Sequence, residues 1–248
     1  LVKMLDESSQ IRDRKKLAKR IKTLIDEYGV PEFLNKRDTF LFKMYQAFGH
    51  HFDFIAIPII KKRLRTDTSK VIIDESRPNL TEHLATRFKE KIGQNVNLLG
   101  EVVLGNGEAD HRYHHYLEAL ESPDINYISV KISGIYAQTH ALNYRESFPE
   151  LVRRMSALYQ KAIDNPYVDE DGLKRAKFIN LDMEEYKDAH FTMRLFKEVL
   201  SKPEFKNYSA GIVVQAYLPD AYDFQTELLE FAKARVESGG APIKMRLV

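Results

Sequence analysis

The stretch Phe178-Ile179-Asn180-Leu181-Asp182 decides the fold, because it is a short apolar segment that ends on a carboxylate. Four further segments have the same form and end on a polar or ionisable residue: Leu98-Leu99-Gly100-Glu101, Ile128-Ser129-Val130-Lys131, Ile212-Val213-Val214-Gln215 and Ile243-Lys244-Met245-Arg246. A helix-like stretch follows each of the first four segments along the chain. This repeat of strand, polar tip and helix predicts a parallel α/β sheet whose five polar tips converge at one edge.

The composition is that of an ordinary globular protein, with 44% hydrophobic and 30% charged residues in a chain of 248. The net charge of +2 gives no reason to expect nucleic acid as a partner. Cysteine is absent, which excludes a disulfide scaffold, a thiol nucleophile and a cysteine zinc site. The longest apolar run, residues 52–60, is interrupted by Asp53 and Pro58 and is shorter than the ~20 residues that a membrane-spanning helix needs.

Residues 1–70 are predicted to form a helical arm ahead of the sheet. Leu17, Ile21 and Leu24 follow helical spacing, and Gly29 is a typical helix stop. The aromatic-rich segment Phe40–Phe54 favours a packed core over a cofactor-binding surface.

Residues 71–248 are predicted to form the sheet and its helices. Thr81 is expected to cap a first helix that ends at Gly93. Strand-like segments then start at intervals close to the ~30 residues of a βα unit: near Val96, Ile125, Lys177, Ile212 and Ile243. Five such units fit either an open doubly wound sheet or part of an eight-stranded barrel, which takes about 250 residues when complete. No GxGxxG or GxxxxGK(S/T) motif supports a nucleotide-binding sheet.

Lys131 and Asp182 are the strongest candidate site residues. Lys131 lies in an otherwise apolar segment, where an ammonium group needs an anionic neighbour or ligand. We expect it to pair with Asp182 across adjacent strands. Asp182 is also suited to cap a helix that begins near Glu184, and the two roles are compatible because such a cap lies at the carboxyl end of a strand.

Gln215 and Arg246 are expected to complete the polar edge. An amide both donates and accepts hydrogen bonds, which suits the edge of a heteroaromatic ring such as a flavin. Arg246 adds a permanent cation with planar donors, and a structural salt bridge is the alternative role for it.

Three histidines, His111, His114 and His115, invite comparison with a metal site. His111 and His115 have helical i, i+4 spacing, but Arg112 stands where an HExxH motif has its glutamate. We interpret the three as a solvated helix face, and no metal is predicted.

Five ordered motifs in residues 70–248 resemble those of one enzyme family. They are Leu98-Leu99-Gly100-Glu101-Val102-Val103, Tyr127-Ile128-Ser129-Val130-Lys131-Ile132-Ser133, Asn180-Leu181-Asp182-Met183-Glu184-Glu185-Tyr186, Val213-Val214-Gln215-Ala216-Tyr217-Leu218 and Met245-Arg246-Leu247-Val248. In this order and spacing the chain resembles the proline dehydrogenase family, and most closely the proline dehydrogenase domain of bifunctional proline utilisation A flavoenzymes.

The resemblance implies a (β/α)8 TIM barrel that holds FAD and is preceded by helices. It also implies oxidation of L-proline to Δ1-pyrroline-5-carboxylate, the first step of proline catabolism to glutamate, with electrons passed to a membrane quinone. The implied location is cytoplasmic, either free or peripheral at the inner membrane. The implied partners are further copies of the chain in a homo-oligomer and a downstream aldehyde dehydrogenase domain that oxidises the product.

The resemblance also implies a role for each site residue. Lys131, Asp182 and Arg246 are the implied catalytic residues, with Lys131 on the proline carboxylate and Asp182 supporting both the substrate pocket and the flavin. Gln215 and Arg246 are implied to hydrogen-bond the isoalloxazine. The remaining residues that the resemblance places beside the flavin are Met183, Val213 and Val248.

The chain ends at Val248 inside a strand-like segment, so we expect the barrel to be incomplete here, after its fifth strand. In the family this strand continues as Lys-Gly-Ala, and a later helix carries an arginine pair that grips the proline carboxylate. We therefore expect turnover from a longer protein.

Two alternatives remain open from the residues. A barrel glycosidase would use a pair of carboxylates among Glu101, Asp182 and Glu184. A non-catalytic piece would use residues 1–70 as an oligomerisation arm.

Overall fold

The computed structural model describes residues 13–30, 36–48, 57–62, 79–97, 105–137 and 144–248, together with residues 11, 54 and 73. The chain divides into two compact units, Leu1–Leu80 and Thr81–Val248. The domain boundary expected after residue 70 stays a prediction. No helix among these residues is long and apolar enough to span a bilayer.

Among the described residues, the first unit contains the helices α1 (Arg14–Tyr28) and α2 (Lys36–Phe48), and residues 57–62 are helical as well. The Asp13 side chain accepts the Lys16 N–H at 2.8 Å and so caps α1, while Gly29 at φ 74° ends it as predicted. The core of this unit consists of apolar side chains from both helices and from Ile57: Leu17, Ala18, Ile21, Leu24, Ile25, Phe42, Tyr45 and Ile57. Phe42 and Tyr45 confirm part of the predicted aromatic core, whereas Phe40 is exposed.

The elements from α3 onward follow one another in this order: α3 (Asn79–Lys89), β1 (Val96–Asn97), α4 (Asn106–Glu121), β2 (Tyr127–Lys131), α5 (Ile132–Ile135), α6 (Tyr144–Asp164), β3 (Tyr167–Val168), β4 (Lys174–Arg175), β5 (Phe178–Asp182), α7 (Ala189–Leu200), β6 (Gly211–Val214), α8 (Ala221–Glu237) and β7 (Lys244–Leu247). The expected cap at Thr81 is wrong, because α3 already begins at Asn79 and the Thr81 hydroxyl donates to Asp124 instead.

The sheet confirms the predicted parallel arrangement. Its five strands lie in the order β1-β2-β5-β6-β7, and each neighbouring pair is parallel. The order follows the chain without the reversal that defines a doubly wound sheet. Barrel closure stays a prediction. The two short strands β3 and β4 form a separate antiparallel hairpin.

The helices α6 and α7 supply much of the core beside the sheet. Leu151, Met155, Leu158 and Tyr159 of α6 are fully buried, as are strands β5 and β6 except at Phe178. Burial of each apolar side chain among them contributes roughly 1.5–3 kcal/mol. This packing fixes the strands, and thereby the positions of the residues at their carboxyl ends.

Candidate active site

The strand register places four predicted site residues in one row across four strands. Lys131 is level with Asp182, and Val213 is level with Arg246. Leu181 pairs with Ile212, so Asp182 is also level with Val213. Gln215 directly follows β6. The predicted convergence at the carboxyl ends of the strands is therefore present for four of the five tips, while Glu101 lies outside the described residues.

Asp182 is the centre of a hydrogen-bond network. Its Oδ1 accepts from Arg246 Nη2 at 2.8 Å, from Asn180 Nδ2 at 2.8 Å and from Ser129 Oγ at 3.2 Å. Only 8% of Asp182 is exposed. A buried carboxylate needs this kind of compensation, and the Arg246 cation together with two neutral donors provides it.

Two expectations about Asp182 are wrong. Its cationic partner is Arg246 and not Lys131, although Lys131 lies level with it on the adjacent strand. It also caps no helix, because the next helical turn begins at Tyr186 and is flanked by Glu185.

Lys131 instead lies beside Glu184. The two side chains are joined by a loose ion pair of 4.0 Å between Nζ and Oε1. The Ser133 N–H donates to Oε2 of the same carboxylate at 3.3 Å. Lys131 keeps 33% of its side chain exposed.

The Gln215 side chain is buried and held from two sides. Its Nε2 donates to the main-chain oxygen of Glu184 at 2.9 Å and to the Tyr217 hydroxyl at 2.8 Å. Its Oε1 is buried and has no hydrogen-bond partner among the described residues, and the same is true of Arg246 Nε. An unsatisfied buried polar atom costs about 1–3 kcal/mol, so this edge of the sheet is suited to a ligand that both donates and accepts.

Three further residues are predicted to contact the flavin, and the structure locates each of them relative to the strands. Val213 is buried inside β6, and Met183 is half-buried directly after Asp182. Val248 follows β7, where its N–H donates to Val214 O and its own oxygen accepts the Ala216 N–H. Their contact with a flavin stays a prediction.

Sequence reasoning missed Ser129 and Asn180 as members of the site. Asn95 extends the network, because its Nδ2 donates to Ser129 Oγ at 2.8 Å. The spacing could have indicated them, because Ser129 stands two residues before Lys131 and Asn180 two residues before Asp182. Residues two apart in a strand point to the same face of the sheet.

Tyr116 of α4 is a second buried group close to the site that the sequence did not reveal. Burial raises its pKa to about 12. Gly134 of α5 makes room for it, because a Cβ at this position would lie 2.8 Å from the Tyr116 oxygen.

The histidines lie on α4 as predicted. His111 and His114 are exposed, and the rings of His111 and His115 are 4.3 Å apart between centroids. Within the described ranges, no group of three or more His, Cys, Asp and Glu side chains is arranged to hold a metal ion.

Comparison with known proteins gives one family. The family model described as proline dehydrogenase matches residues 80–248. No curated protein sequence matches the chain.

Solved structures of proline utilization A resemble the whole chain. That of Corynebacterium freiburgense shares 35% identity at a TM-score of 0.66 and covers 96% of this chain. The Bdellovibrio bacteriovorus protein, inactivated by N-propargylglycine, shares 26% identity at a TM-score of 0.64 and covers 99%. The chain spans only 21% and 25% of these two proteins. With the family model matching well over half of its residues, the chain belongs to the proline dehydrogenase family.

Proposed function

We propose that the full-length protein oxidises L-proline to Δ1-pyrroline-5-carboxylate with FAD and passes the electrons to a quinone. The observation that carries the proposal is the Asp182–Arg246 pair at the carboxyl ends of the strands, with Gln215 beside it, in a chain of the proline dehydrogenase family. The implied closure of the sheet into a (β/α)8 barrel belongs to the same proposal.

The residues at this edge fit a flavin. Gln215 Oε1 offers a buried acceptor and Arg246 Nε a buried donor, each without a partner among the described residues. The pyrimidine edge of an isoalloxazine carries both an N–H donor and carbonyl acceptors, so it can satisfy both atoms. When bound, FAD supplies two-electron oxidation chemistry that protein side chains lack. Gln215 and Arg246 would hold its ring, with Asp182 orienting Arg246.

Lys131 is proposed to bind the substrate carboxylate. A third of its side chain is exposed, at 33%, and its 4.0 Å pair with Glu184 is loose enough for a second anion to approach. Lys131 and Arg246 would also favour the negative charge that the flavin gains on reduction, an electrostatic effect of the kind that lowers barriers.

The glycosidase alternative loses support from these contacts. Asp182 is paired with Arg246 and Glu184 with Lys131. A glycosidase needs two carboxyl groups that are free to act on the glycosidic bond, and each of these two is engaged by a cation of the protein.

The cellular location, the oligomeric state and a further domain also belong to the proposal. We propose a cytoplasmic location, with the protein peripheral at the inner membrane when it passes electrons to a membrane quinone. A homo-oligomer and a downstream aldehyde dehydrogenase domain would complete the assembly, and residues 1–70 would serve as its helical arm.

A direct experiment uses the purified full-length protein and a redox dye. L-Proline is expected to reduce the dye, and Lys131→Ala and Arg246→Met are each expected to lower the rate strongly. Wild-type rates in both variants would refute the site assignment, and a colourless, inert wild-type protein would refute the function.

A further inference from the structure

The amide of Gln215 has only one possible orientation. Its nitrogen lies 2.9 Å from the main-chain oxygen of Glu184, which can only accept a hydrogen bond. The opposite placement would bring two acceptor oxygens together, so this end of the amide must be the NH₂ group.

The second amide hydrogen is used by Tyr217. The Tyr217 hydroxyl lies 2.8 Å from the same nitrogen and accepts this hydrogen. Both donors of Gln215 are thus occupied by the protein. What remains is Oε1, a buried acceptor without a partner among the described residues. Gln215 is therefore prepared to accept a hydrogen bond from a ligand, not to donate one.

Tyr217 is an unusual partner because 72% of the residue is exposed while its hydroxyl reaches back to a buried amide. An exposed aromatic ring contributes little to the core. Its contact matters for orientation, because the terminal torsion of a glutamine side chain is broad and one hydrogen bond alone restrains it weakly.

We propose that Tyr217 is a positioning residue that fixes Gln215 as the acceptor for an N–H group of a planar cofactor. This inference rests on the proposed function, in which the cofactor is FAD and its ring N–H is N3–H. Glu184 supplies the other restraint through its main chain, so Tyr217 is the restraint that a side-chain substitution can remove.

The test measures FAD affinity of the full-length apoprotein by flavin absorbance and fluorescence titration. Tyr217→Phe removes only the hydroxyl, and Tyr222→Phe is the matched control because Tyr222 is equally exposed, at 77%, and lies on α8. Loss of one hydrogen-bonded restraint should weaken FAD binding about three- to tenfold in Tyr217→Phe. Tyr222→Phe should stay within about twofold.

An FAD analogue methylated at N3 separates positioning from a general structural effect, since it lacks the proposed donor. The wild-type protein and Tyr222→Phe should prefer FAD over the analogue by the same factor, and Tyr217→Phe should lose most of that preference. An unchanged preference in Tyr217→Phe would overturn the inference, including the case in which both flavins bind more weakly by the same factor. If the wild-type protein binds no FAD at all, the proposed function fails together with the inference.

Discussion

The Nη2 of Arg246 lies 2.8 Å from Oδ1 of Asp182, so a cation on β7 compensates a buried carboxylate on β5 with β6 between them. This contact joins residues 64 positions apart in the chain. It fixes the Arg246 guanidinium at the edge where Gln215 presents its free acceptor. The pair is thus both a stabilising contact and the support of the proposed flavin site.

Asp182→Asn should lower kcat/KM for proline about 100-fold, because Arg246 loses its charged partner and its fixed position. A double-mutant cycle with Arg246→Met should give a coupling energy of about 1–3 kcal/mol in urea unfolding. Additive effects of the two substitutions on the free energy of unfolding would contradict a stabilising contact between Asp182 and Arg246.

Glu184→Gln should raise KM for proline about three- to tenfold with a smaller change in kcat, because Lys131 loses the anion that orients it. Steady-state kinetics in the full-length protein measure both constants. Glu185→Gln is the matched control, because the neighbouring Glu185 is exposed and pairs with Lys187 at 2.8 Å. Equal KM values in the two variants would show that Glu184 does not act on Lys131.

Gly211→Ala should destabilise the protein by about 1–3 kcal/mol. A Cβ at Gly211 would lie 2.5 Å from Asn180 Oδ1 and 2.9 Å from the Phe178 ring, so the Asn180 side chain that supports Asp182 must move. Thermal or urea unfolding measures the effect. At Gly107, near the start of α4, a Cβ has no neighbour within 4 Å, and Gly107→Ala should be neutral or slightly stabilising. Equal stabilities of the two variants would contradict this packing.

The lowered pKa of Glu150 predicts how the stability of the protein depends on pH. Hydrogen bonds from Arg153 and then Arg154 lower its pKa from 4.5 to about 2. Because the folded-state pKa is the lower one, the stabilisation is complete above pH 4.5 and is lost as the pH falls toward 2.

The corresponding variant is Glu150→Gln. It should cost about 1 kcal/mol at pH 7, since the network is partly solvent-exposed, and the difference from wild type should shrink below pH 4.5. Urea unfolding at several pH values measures this difference, with Glu118→Gln on α4 as a control. A difference that is constant from pH 7 to pH 2.5 would exclude Glu150 as the titrating group.

The sequence predicted the strands and their polar tips well, because a polar residue that ends an apolar segment has a distinct local pattern. It could not predict which tips pair. Lys131 and Asp182 are level on adjacent strands, yet Arg246 reaches Asp182 and Glu184 lies beside Lys131. Pairing depends on side-chain length and rotamer, which the strand pattern does not encode.

The supporting residues were harder still to find. Ser129 and Asn180 lie inside strands that read as apolar, and Tyr217 is exposed, so only the structure connects them to Asp182 and Gln215. The quinone expectation came only from the five ordered motifs, whereas the flavin expectation came from those motifs together with the donor and acceptor groups of the Gln215 amide.

The central claim is tested most directly by mixing the purified full-length protein with L-proline in the absence of oxygen and recording the visible spectrum. The protein should carry a flavin absorption band, and L-proline should bleach it completely, whereas the Lys131→Ala variant should bleach far more slowly at the same proline concentration. A protein without a flavin band, or a band that L-proline leaves unchanged, would contradict the account.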